Sequence, residues 1–384
     1  MSSAKTVLAK CLIAGLFCSG AMAFALLTAH RRSASQNSRG VPAEFAPVAA
    51  VVVTQHLFEK RYAGRDILRT ALAAGAKVLI ALDANILGDQ AGWLDSLGLS
   101  PEERRIVTLL PVPVESQWVR DFGPIPIFRD AARLTFVEGV YPHNQEADIA
   151  FSKRLASSLA VAHEGMPIYF EGGNFLTDGR RCFMSSLVPD AQIFADARNG
   201  EEGKTDPRAA TALELRNRIG CLDVILIENP PHPHIDMYAK IVSPDTVLVG
   251  ELEEKTLSLF RDQEGVAPLD YQRLQATLDE AAAQLAKHLR VIRIPVPVPF
   301  RGTNRNFTNA LLINGHALVP SYDRMGFDYD NYPDQELKDY YENKVRGIYE
   351  AQGFQVTFAN ADALIYNGGA LHCVALQIPT PPRL

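Results

Sequence analysis

A single cysteine near the C-terminus stands in a sequence context that favours chemistry. Residues 367–379 read Asn-Gly-Gly-Ala-Leu-His-Cys-Val-Ala-Leu-Gln-Ile-Pro, so Cys373 follows a glycine pair and a histidine and precedes a mainly apolar run. Glycines let the backbone turn sharply and let a substrate approach closely. The motif therefore favours a thiol that faces a pocket, with a buried structural cysteine as the alternative.

Three upstream motifs each place an acid at a predicted turn or strand end. They are Trp118-Val119-Arg120-Asp121-Phe122-Gly123-Pro124, Phe170-Glu171-Gly172-Gly173-Asn174-Phe175 and His234-Ile235-Asp236-Met237-Tyr238. Residues two apart in a strand face the same side, so we expect His234 and Asp236 to project together. Taken singly, each motif could also be a capped turn, a solvated hairpin tip or a core histidine with its hydrogen bonds satisfied.

These residues together indicate one reaction type. A thiolate is a nucleophile, and a histidine can transfer protons near neutral pH. Several converging carboxylates need a cation, and a guanidinium offers a fixed charge with five donors. The sequence thus predicts attack of the Cys373 thiolate on the central carbon of a guanidinium held by acids. A hard metal cation bound by the acids and His234 is the rival interpretation, although no close histidine pair supports it.

Composition and predicted elements describe the scaffold. The chain has 384 residues, of which 47% are hydrophobic, and a net charge of −6. The body has no long basic run, which argues against a nucleic-acid surface. Apolar runs predict strands at 48–54, 77–82, 105–110, 125–129, 132–138, 181–186, 222–227, 237–242, 246–250, 289–295, 308–313, 316–319, 354–358 and 373–378. Helical spacing predicts helices at 60–74, 147–160, 206–219, 268–288 and 334–351, which makes the fold α/β or α+β.

The N-terminus differs from the body. Lys5 and Lys10 precede an uncharged stretch at 11–29, which predicts a secretory signal peptide or, alternatively, an uncleaved membrane anchor. Residues 30–47 are predicted to be a polar linker, and 48–384 a single catalytic domain. Either alternative places the body outside the cytosol, in a secreted or periplasmic location.

The cysteines of the body bear on the same question of compartment. The body has three of them, and an odd count in an oxidising compartment predicts one free thiol, which fits Cys373. Two alternatives stay open for Cys182 and Cys221, either a disulfide or separate burial.

With these motifs the chain resembles the agmatine deiminase and bacterial peptidyl-arginine deiminase family, within the guanidine-modifying pentein superfamily. The resemblance runs from about residue 48 to residue 380 and depends on four motifs in order: Trp-x-Arg-Asp-x-Gly-Pro, Glu-Gly-Gly-Asn, His-x-Asp-Met-Tyr and Gly-Gly-x-x-His-Cys. It implies a five-fold pseudosymmetric α/β propeller of ββαβ units around a central site.

The resemblance also implies roles for the acids, the histidine and the thiol. Cys373 matches the nucleophile that forms a thiouronium intermediate, and His234 matches the general acid and base. Asp121 and Asp236 match the guanidinium clamp, and Glu171 matches the acid that orients the histidine.

Five further positions are expected at the substrate, and no metal or organic cofactor is implied. Trp118 is expected to line the substrate stem, and Asn309 matches a position near the thiol. The remaining expected substrate-binding residues lie within the matched motifs: Arg120, Asn174 and Gly369.

The chain departs from the family pattern in one stretch. The bacterial peptidyl-arginine enzymes have arginines after the first motif that bind a terminal carboxylate, whereas residues 140–148 contain none. Arg301 and Arg305 are the candidates to replace them. The substrate beyond its guanidinium stays open among peptidyl-arginine, agmatine and free arginine, and export favours the first. Two other functions are considered: an amidinotransferase, and a non-catalytic binding module with the same fold.

Overall fold

Five small β-sheets form the body of the protein in the computed structural model. The structure describes residues 40–381 apart from 59–62, 84–85, 87, 131–132, 191–205, 261–265 and 324–334. Each sheet contains a unit of three strands in which the first pairs antiparallel with the second and the second pairs parallel with the third. This repeat is the ββαβ unit of the predicted pentein propeller, because a helix lies between the second and third strands of each unit.

The strands of four units follow the chain in order. The second unit contains β4 (Ile125–Phe128), β5 (Leu134–Val140) and β6 (Ala162–Tyr169), and the third contains β7 (Phe175–Thr177), β8 (Arg181–Ser185) and β9 (Asp223–Ile227). The fourth contains β10 (Ala239–Ser243), β11 (Thr246–Glu251) and β12 (Arg290–Pro295), and the fifth contains β13 (Leu311–Ile313), β14 (His316–Ser321) and β15 (Gln355–Asn360).

The first unit closes the ring with the C-terminal strand. β16 (Leu376–Pro379) pairs antiparallel with β1 (Val48–Thr54), and β1 pairs parallel with β2 (Lys77–Ala81), which β3 (Val107–Leu110) extends. The segment that contains Cys373 therefore enters the first strand of this unit. The chain ends of the described body meet in one sheet.

Helices connect the strands within and between the units. They are α1 (Gly64–Ala73), α2 (Gln90–Ser96), α3 (Pro101–Ile106), α4 (Val119–Phe122), α5 (Glu146–Ile149), α6 (Phe151–Ser158), α7 (Pro207–Glu214), α8 (Glu254–Phe260), α9 (Pro268–Leu285), α10 (Gln335–Ala351) and α11 (Asp362–Ile365). In α9 the apolar stripe faces the core, since Leu278, Ala281 and Leu285 are buried beside Val247 and Val249 of β11. The five predicted helices are all present, within a few residues of their predicted bounds.

Two strands were not predicted. β6 carries a histidine, a glutamate, a glycine and a proline, which are residues of low strand propensity. It forms because it is the edge strand that completes a parallel ladder with β5, and an edge position tolerates proline. β7 has only three residues, too few for a periodic pattern to be visible.

The predicted domain boundary at residue 48 is wrong. Gly40 exchanges backbone hydrogen bonds of 2.7 and 2.9 Å with Phe128, and the Glu44 amide donates to the Thr177 carbonyl at 3.0 Å. Val41 is buried. The domain therefore includes residues 40–47, here called the N-terminal segment, because backbone pairing holds a stretch whose composition reads as a linker.

The predicted leader at 1–29 and the rest of the linker lie outside the described residues. No helix within residues 40–381, as far as the structure describes them, combines the length and apolar character needed to span a bilayer.

Cys182 and Cys221 form a disulfide with a Cα–Cα distance of 5.7 Å. It links β8 to the end of the helical segment after α7. Of the two alternatives left open by the sequence, the bridged one is correct. The free thiol among the described cysteines is Cys373, as the odd count predicts.

Candidate active site

Each of the five units contributes one residue of the candidate site from the turn just before its first strand. Because the units are related by pseudosymmetry, these five turns converge on the propeller axis. The residues, in the order of strands β4, β7, β10, β13 and β16, are Asp121, Glu171, Asp236, Asn309 and Cys373. The site is therefore assembled from segments that lie far apart in the sequence.

Two local predictions about these turns are wrong. Ile235–Met237 form a 3-10 turn with His234 at its N-terminal end, so His234 and Asp236 do not alternate along a strand. The Met237 amide donates to the His234 carbonyl at 3.2 Å and closes this turn. Likewise, the final strand begins at Leu376, which leaves Cys373 in the preceding turn. Turn geometry rather than strand alternation brings these side chains together.

The thiol is buried and accepts a hydrogen bond. Asn309 Nδ2 donates to Cys373 Sγ at 3.2 Å, and the Asn309 carboxamide oxygen accepts from the His372 amide at 2.8 Å. Asp236 Oδ2 lies 3.8 Å from Sγ. Burial and the charge of Asp236 raise the pKa of Cys373 to about 12, although His234 acts in the opposite direction. The resting thiol is therefore neutral.

His234 lies between two acids. Its Nε2 is 3.0 Å from Glu171 Oε2, and its Nδ1 is 3.6 Å from Asp121 Oδ1. Burial opposes the imidazolium, but the charge of Asp121 and the bonds to Cys373 and Glu171 outweigh it and raise the pKa of His234 well above its ordinary value. The other oxygen of Glu171 lies 3.0 Å from His143 Nε2.

Gly173 is the glycine that this geometry requires. Its amide donates to Asp121 Oδ1 at 3.1 Å. A Cβ at this position would lie 2.5 Å from His234 Nδ1 and 2.8 Å from Asp121 Oδ1, so any larger residue would displace both groups. Burial, together with the charges of Glu171 and Asp236, raises the pKa of Asp121 to about 7.

Asp236 presents one oxygen to the protein and keeps the other for a ligand. His372 Nδ1 lies 2.7 Å from Asp236 Oδ2, whereas Oδ1 is buried with no hydrogen-bond partner in the described part of the chain. Burial raises the pKa of Asp236, but the bond and charge of His372 outweigh it, so the net shift is downward. An ionised, buried carboxylate oxygen without a donor is suited to a guanidinium N–H.

Three of the other expected residues lie near the site with separate tasks. Gly369 faces Trp118, and a Cβ on it would lie 2.4 Å from the indole and 3.1 Å from Cys373 Cβ. Trp118 thus covers the backbone beside the thiol. Asn174 accepts from the Glu171 amide at 3.0 Å and donates to the Pro233 carbonyl at 3.1 Å, so it fixes two of the turns.

Arg120 does not join the carboxylates. Its side chain contacts Gln377 Oε1 and lies 3.5 Å from the His372 carbonyl. It lines a hollow beside the N-terminal segment, which also contains Glu44. Because an adjacent helical residue points its side chain in another direction, Arg120 and Asp121 face different surroundings.

Three residues extend the site without a predicted role: His143, His372 and Glu44. His372 directly precedes Cys373, and this position could have drawn attention to it. The direction of the His372 side chain was not predictable. Glu44 contacts His372 across more than 300 positions of sequence, and nothing in its local context marks it.

The site could also hold a metal ion. One ligand atom from each of His234, Asp236 and Cys373 lies within 4.8 Å of the others. A soft divalent ion such as zinc could bind this set once the thiol lost its proton, and it would occupy the guanidinium position. Assays should therefore be compared with and without a chelator.

We expect a bell-shaped pH dependence of kcat/KM, which reports the ionisations of the free enzyme. Burial raises the pKa of Asp121 to about 7. Activity should rise as the pH passes through this range, because Asp121 then becomes a carboxylate that can bind the guanidinium. At higher pH His234 loses its proton and can no longer protonate the leaving nitrogen. The apparent pKa values belong to the coupled cluster.

The His234→Gln variant tests this dependence. It should lose about 10²-fold or more in rate and lose the alkaline limb. A variant that kept the rate and profile of the wild type would assign His234 a structural role.

The repeated ββαβ units and their axial cysteine, histidine and carboxylates define a catalytic-type pentein. The chain belongs to the Porphyromonas-type peptidyl-arginine deiminase family, whose model matches residues 41–379. This match includes most of the N-terminal segment and all of the site residues.

Known proteins resemble the chain along most of its length. A Selenomonas ruminantium protein with the name "Putative agmatine deiminase" is 22% identical over 382 residues, covering 89% of this chain and 96% of the relative. The solved agmatine deiminase of Enterococcus faecalis has a TM-score of 0.65 at 17% identity, covering 90% of this chain and 97% of that one. The solved agmatine deiminase of C. jejuni has a TM-score of 0.61 at 17% identity with the same coverage. At such identities these structures support the fold.

Proposed function

We propose that the chain is a guanidine deiminase, which converts a guanidinium and water into a ureido group and ammonia. One observation carries the proposal: buried Asp236, whose Oδ1 has no hydrogen-bond partner among the described residues, lies beside a buried thiol and an imidazole held by acids. A hydrolase of C–N bonds in linear amidines needs these three groups together. The family match supports the same reaction class.

In the first half-reaction the bound cation activates its own nucleophile. The guanidinium N–H groups donate to Asp121 and Asp236, and its positive charge offsets the burial that raises the pKa of Cys373. The thiol proton passes to solvent, and Sγ attacks the central carbon. His234 gives its proton to the leaving nitrogen, ammonia departs, and a thiouronium remains on Cys373.

In the second half-reaction neutral His234 takes a proton from water, and the oxygen adds to the thiouronium carbon. Collapse breaks the C–S bond, returns the thiolate and leaves the ureido C=O after loss of one proton, which ammonia takes up as ammonium. Glu171 holds the imidazole at 3.0 Å in both directions of proton transfer.

The two other candidate functions make different predictions. An amidinotransferase would release product only when an added amine replaces water on the thiouronium. A binding module needs the acids but has no use for the thiol. Ammonia release measured with and without an amine, on agmatine, arginine and an arginine peptide, separates these cases.

Arg305 favours a substrate with a carboxylate. It is 2% exposed, its Nη2 donates to the Tyr366 hydroxyl at 2.8 Å, and its Nε and Nη1 have no hydrogen-bond partner in the part of the chain that the structure describes. It lines a hollow with Met237, whose sulfur lies 3.4 Å from Asn309 Nδ2, the donor to the thiol. A buried guanidinium with two unpaired donors is suited to an anion.

Peptides that end in arginine are therefore the proposed substrates, with agmatine, the decarboxylated compound, as the weaker one. Arg305→Gln should lower kcat/KM about 10- to 100-fold for such a peptide, since a hydrogen bond to a charged group contributes about 1.5–3 kcal/mol. Agmatine turnover should stay within a few-fold of the wild type. Arg301→Gln is the matched control, because that guanidinium is exposed and stacks on Phe300. Equal loss on both substrates would contradict a carboxylate contact.

We also propose that the chain works outside the cytosol. The basic start and uncharged stretch at 11–29 support export, and the Cys182–Cys221 disulfide supports an oxidising compartment. We expect fractionation to recover the protein outside the cytosol with this pair oxidised, and the mass of the recovered chain to decide between a cleaved leader and an anchor. Recovery from the cytosol with an intact leader and reduced cysteines would contradict export.

A further inference from the structure

A buried chain of charged groups connects the candidate site to the N-terminal segment. Asp236 Oδ2 binds His372 Nδ1 at 2.7 Å, and the other ring nitrogen lies 3.2 Å from Glu44 Oε2. Lys240 Nζ lies 3.3 Å from the same Glu44 oxygen. The His372–Glu44 contact has ion-pair distance without hydrogen-bond alignment. The mechanism above uses only Asp236 of these four residues.

Burial raises the free-energy cost of placing these charged groups together. His372 and Lys240 have no exposed surface, and Glu44 is 8% exposed at its side chain. Burial raises the pKa of Glu44, but the charges of Lys240 and His372 outweigh it and hold the pKa below its ordinary range. A carboxylate oxygen lies at each ring nitrogen, so Glu44 and Asp236 together fix the position of the His372 ring.

Stability alone does not account for this cluster. Replacing a buried ion pair by apolar groups of similar volume is often neutral or stabilising, because desolvation offsets the attraction. The backbone of the N-terminal segment is also held without the Glu44 side chain, through the bond from its amide to Thr177 and through the pairing of Gly40 with Phe128. The Glu44 carboxylate has a clearer role in holding His372 against Asp236.

We propose that Glu44 and His372 are positioning residues for the reaction: Glu44 holds His372, and His372 holds Asp236 by its Oδ2 so that Oδ1 is turned toward the guanidinium. This inference rests on the proposed function. It makes the N-terminal segment part of the active site, although no atom of Glu44 touches the reacting groups. His372 occupies Oδ2 and thereby decides which oxygen is left for the substrate.

The Glu44→Gln variant of the full chain tests the proposal, since glutamine keeps the size and removes the charge. We expect kcat/KM for the best substrate to fall about 10- to 100-fold near pH 7, the range of a lost charged hydrogen bond. Glu44 acts only through His372 and Asp236, so the same change in the Asp236→Asn background should cost little more, whereas a merely structural role would give additive losses.

Glu103→Gln is the matched control. The Glu103 side chain is 10% exposed, close to the 8% of the Glu44 side chain, but it caps α3 and bonds Arg69, away from the site. Its variant should keep the wild-type kcat/KM. Melting curves of both variants monitor folding.

Three results decide the matter. A loss in Glu44→Gln that largely disappears in the Asp236→Asn background, with melting curves like those of the parent chains, supports the proposal. No loss, or an equal loss in both backgrounds, overturns it while leaving deimination by the wild type intact; an inactive wild type would instead remove the proposed function. If Glu44→Gln does not fold, His372→Asn is measured by the same criterion, because its amide keeps a donor for Asp236.

Discussion

Replacing Cys373 with serine should abolish turnover and leave the fold intact. A hydroxyl is far harder to ionise than a thiol, and the buried environment that raises the pKa of Cys373 to about 12 would oppose a serine alkoxide still more. Removing the nucleophile of another hydrolase costs about 10⁶ in rate, so a loss of at least about 10³-fold is expected here. The similar size of the two side chains should preserve the contact with Asn309.

The control for Cys373→Ser is structural. Its melting curve should match that of the wild type, and it should still bind a guanidinium compound, since Asp121 and Asp236 remain. Intact-mass spectrometry during turnover should detect a covalent adduct on the wild type and none on the variant. Activity above a few per cent of wild type would remove Cys373 as the nucleophile.

The second large effect is expected from Asp236→Asn. The variant keeps the shape but removes the charge that faces both the guanidinium and His372. Losing one partner of a buried charge pair costs about 3–5 kcal/mol. That corresponds to roughly 10²- to 10⁴-fold in kcat/KM. Asp121→Asn should also lower kcat/KM strongly, since Asp121 both clamps the cation and lies 3.6 Å from His234.

Asp178→Asn provides a comparison outside the site. Asp178 is also a buried aspartate, but it pairs with Arg181 in the turn between β7 and β8. Its variant tests what the loss of a buried carboxylate does to folding alone. An unchanged kcat/KM for Asp236→Asn or for Asp121→Asn would exclude that residue from the clamp.

Most helices and strands were predictable from the sequence because the apolar patterns that indicate them are local. The stripe at Leu278, Ala281 and Leu285 predicts α9, and Val48–Thr54 predicts β1 with both ends correct. Strands without such a signal, as β6, depend on pairing with a distant neighbour and were missed. The five-fold closure through β16 came from the resemblance, since no local pattern shows that the C-terminal strand joins the first unit.

The site was predictable where reactive residue types stand close to glycines in the sequence. Cys373, Glu171 and Asp236 stand in recognisable motifs, and the structure brings them together. Side-chain direction was not predictable: Arg120 stands beside Asp121 in the first motif but lines the hollow that contains Glu44. The link from Glu44 to His372 joins opposite ends of the chain, and a single sequence holds no signal for such a contact.

The most direct test of the central claim is the product balance with a peptide that ends in arginine, incubated with the wild-type chain, a chelator and no added amine. Mass spectrometry would identify the ureido product, and an enzymatic assay would count ammonia. We predict one ureido group for each ammonia released, and neither from Cys373→Ser. Turnover that required an amine, or binding of the guanidinium without release of ammonia by the wild type on any of the three substrate classes, would contradict the assignment as a deiminase.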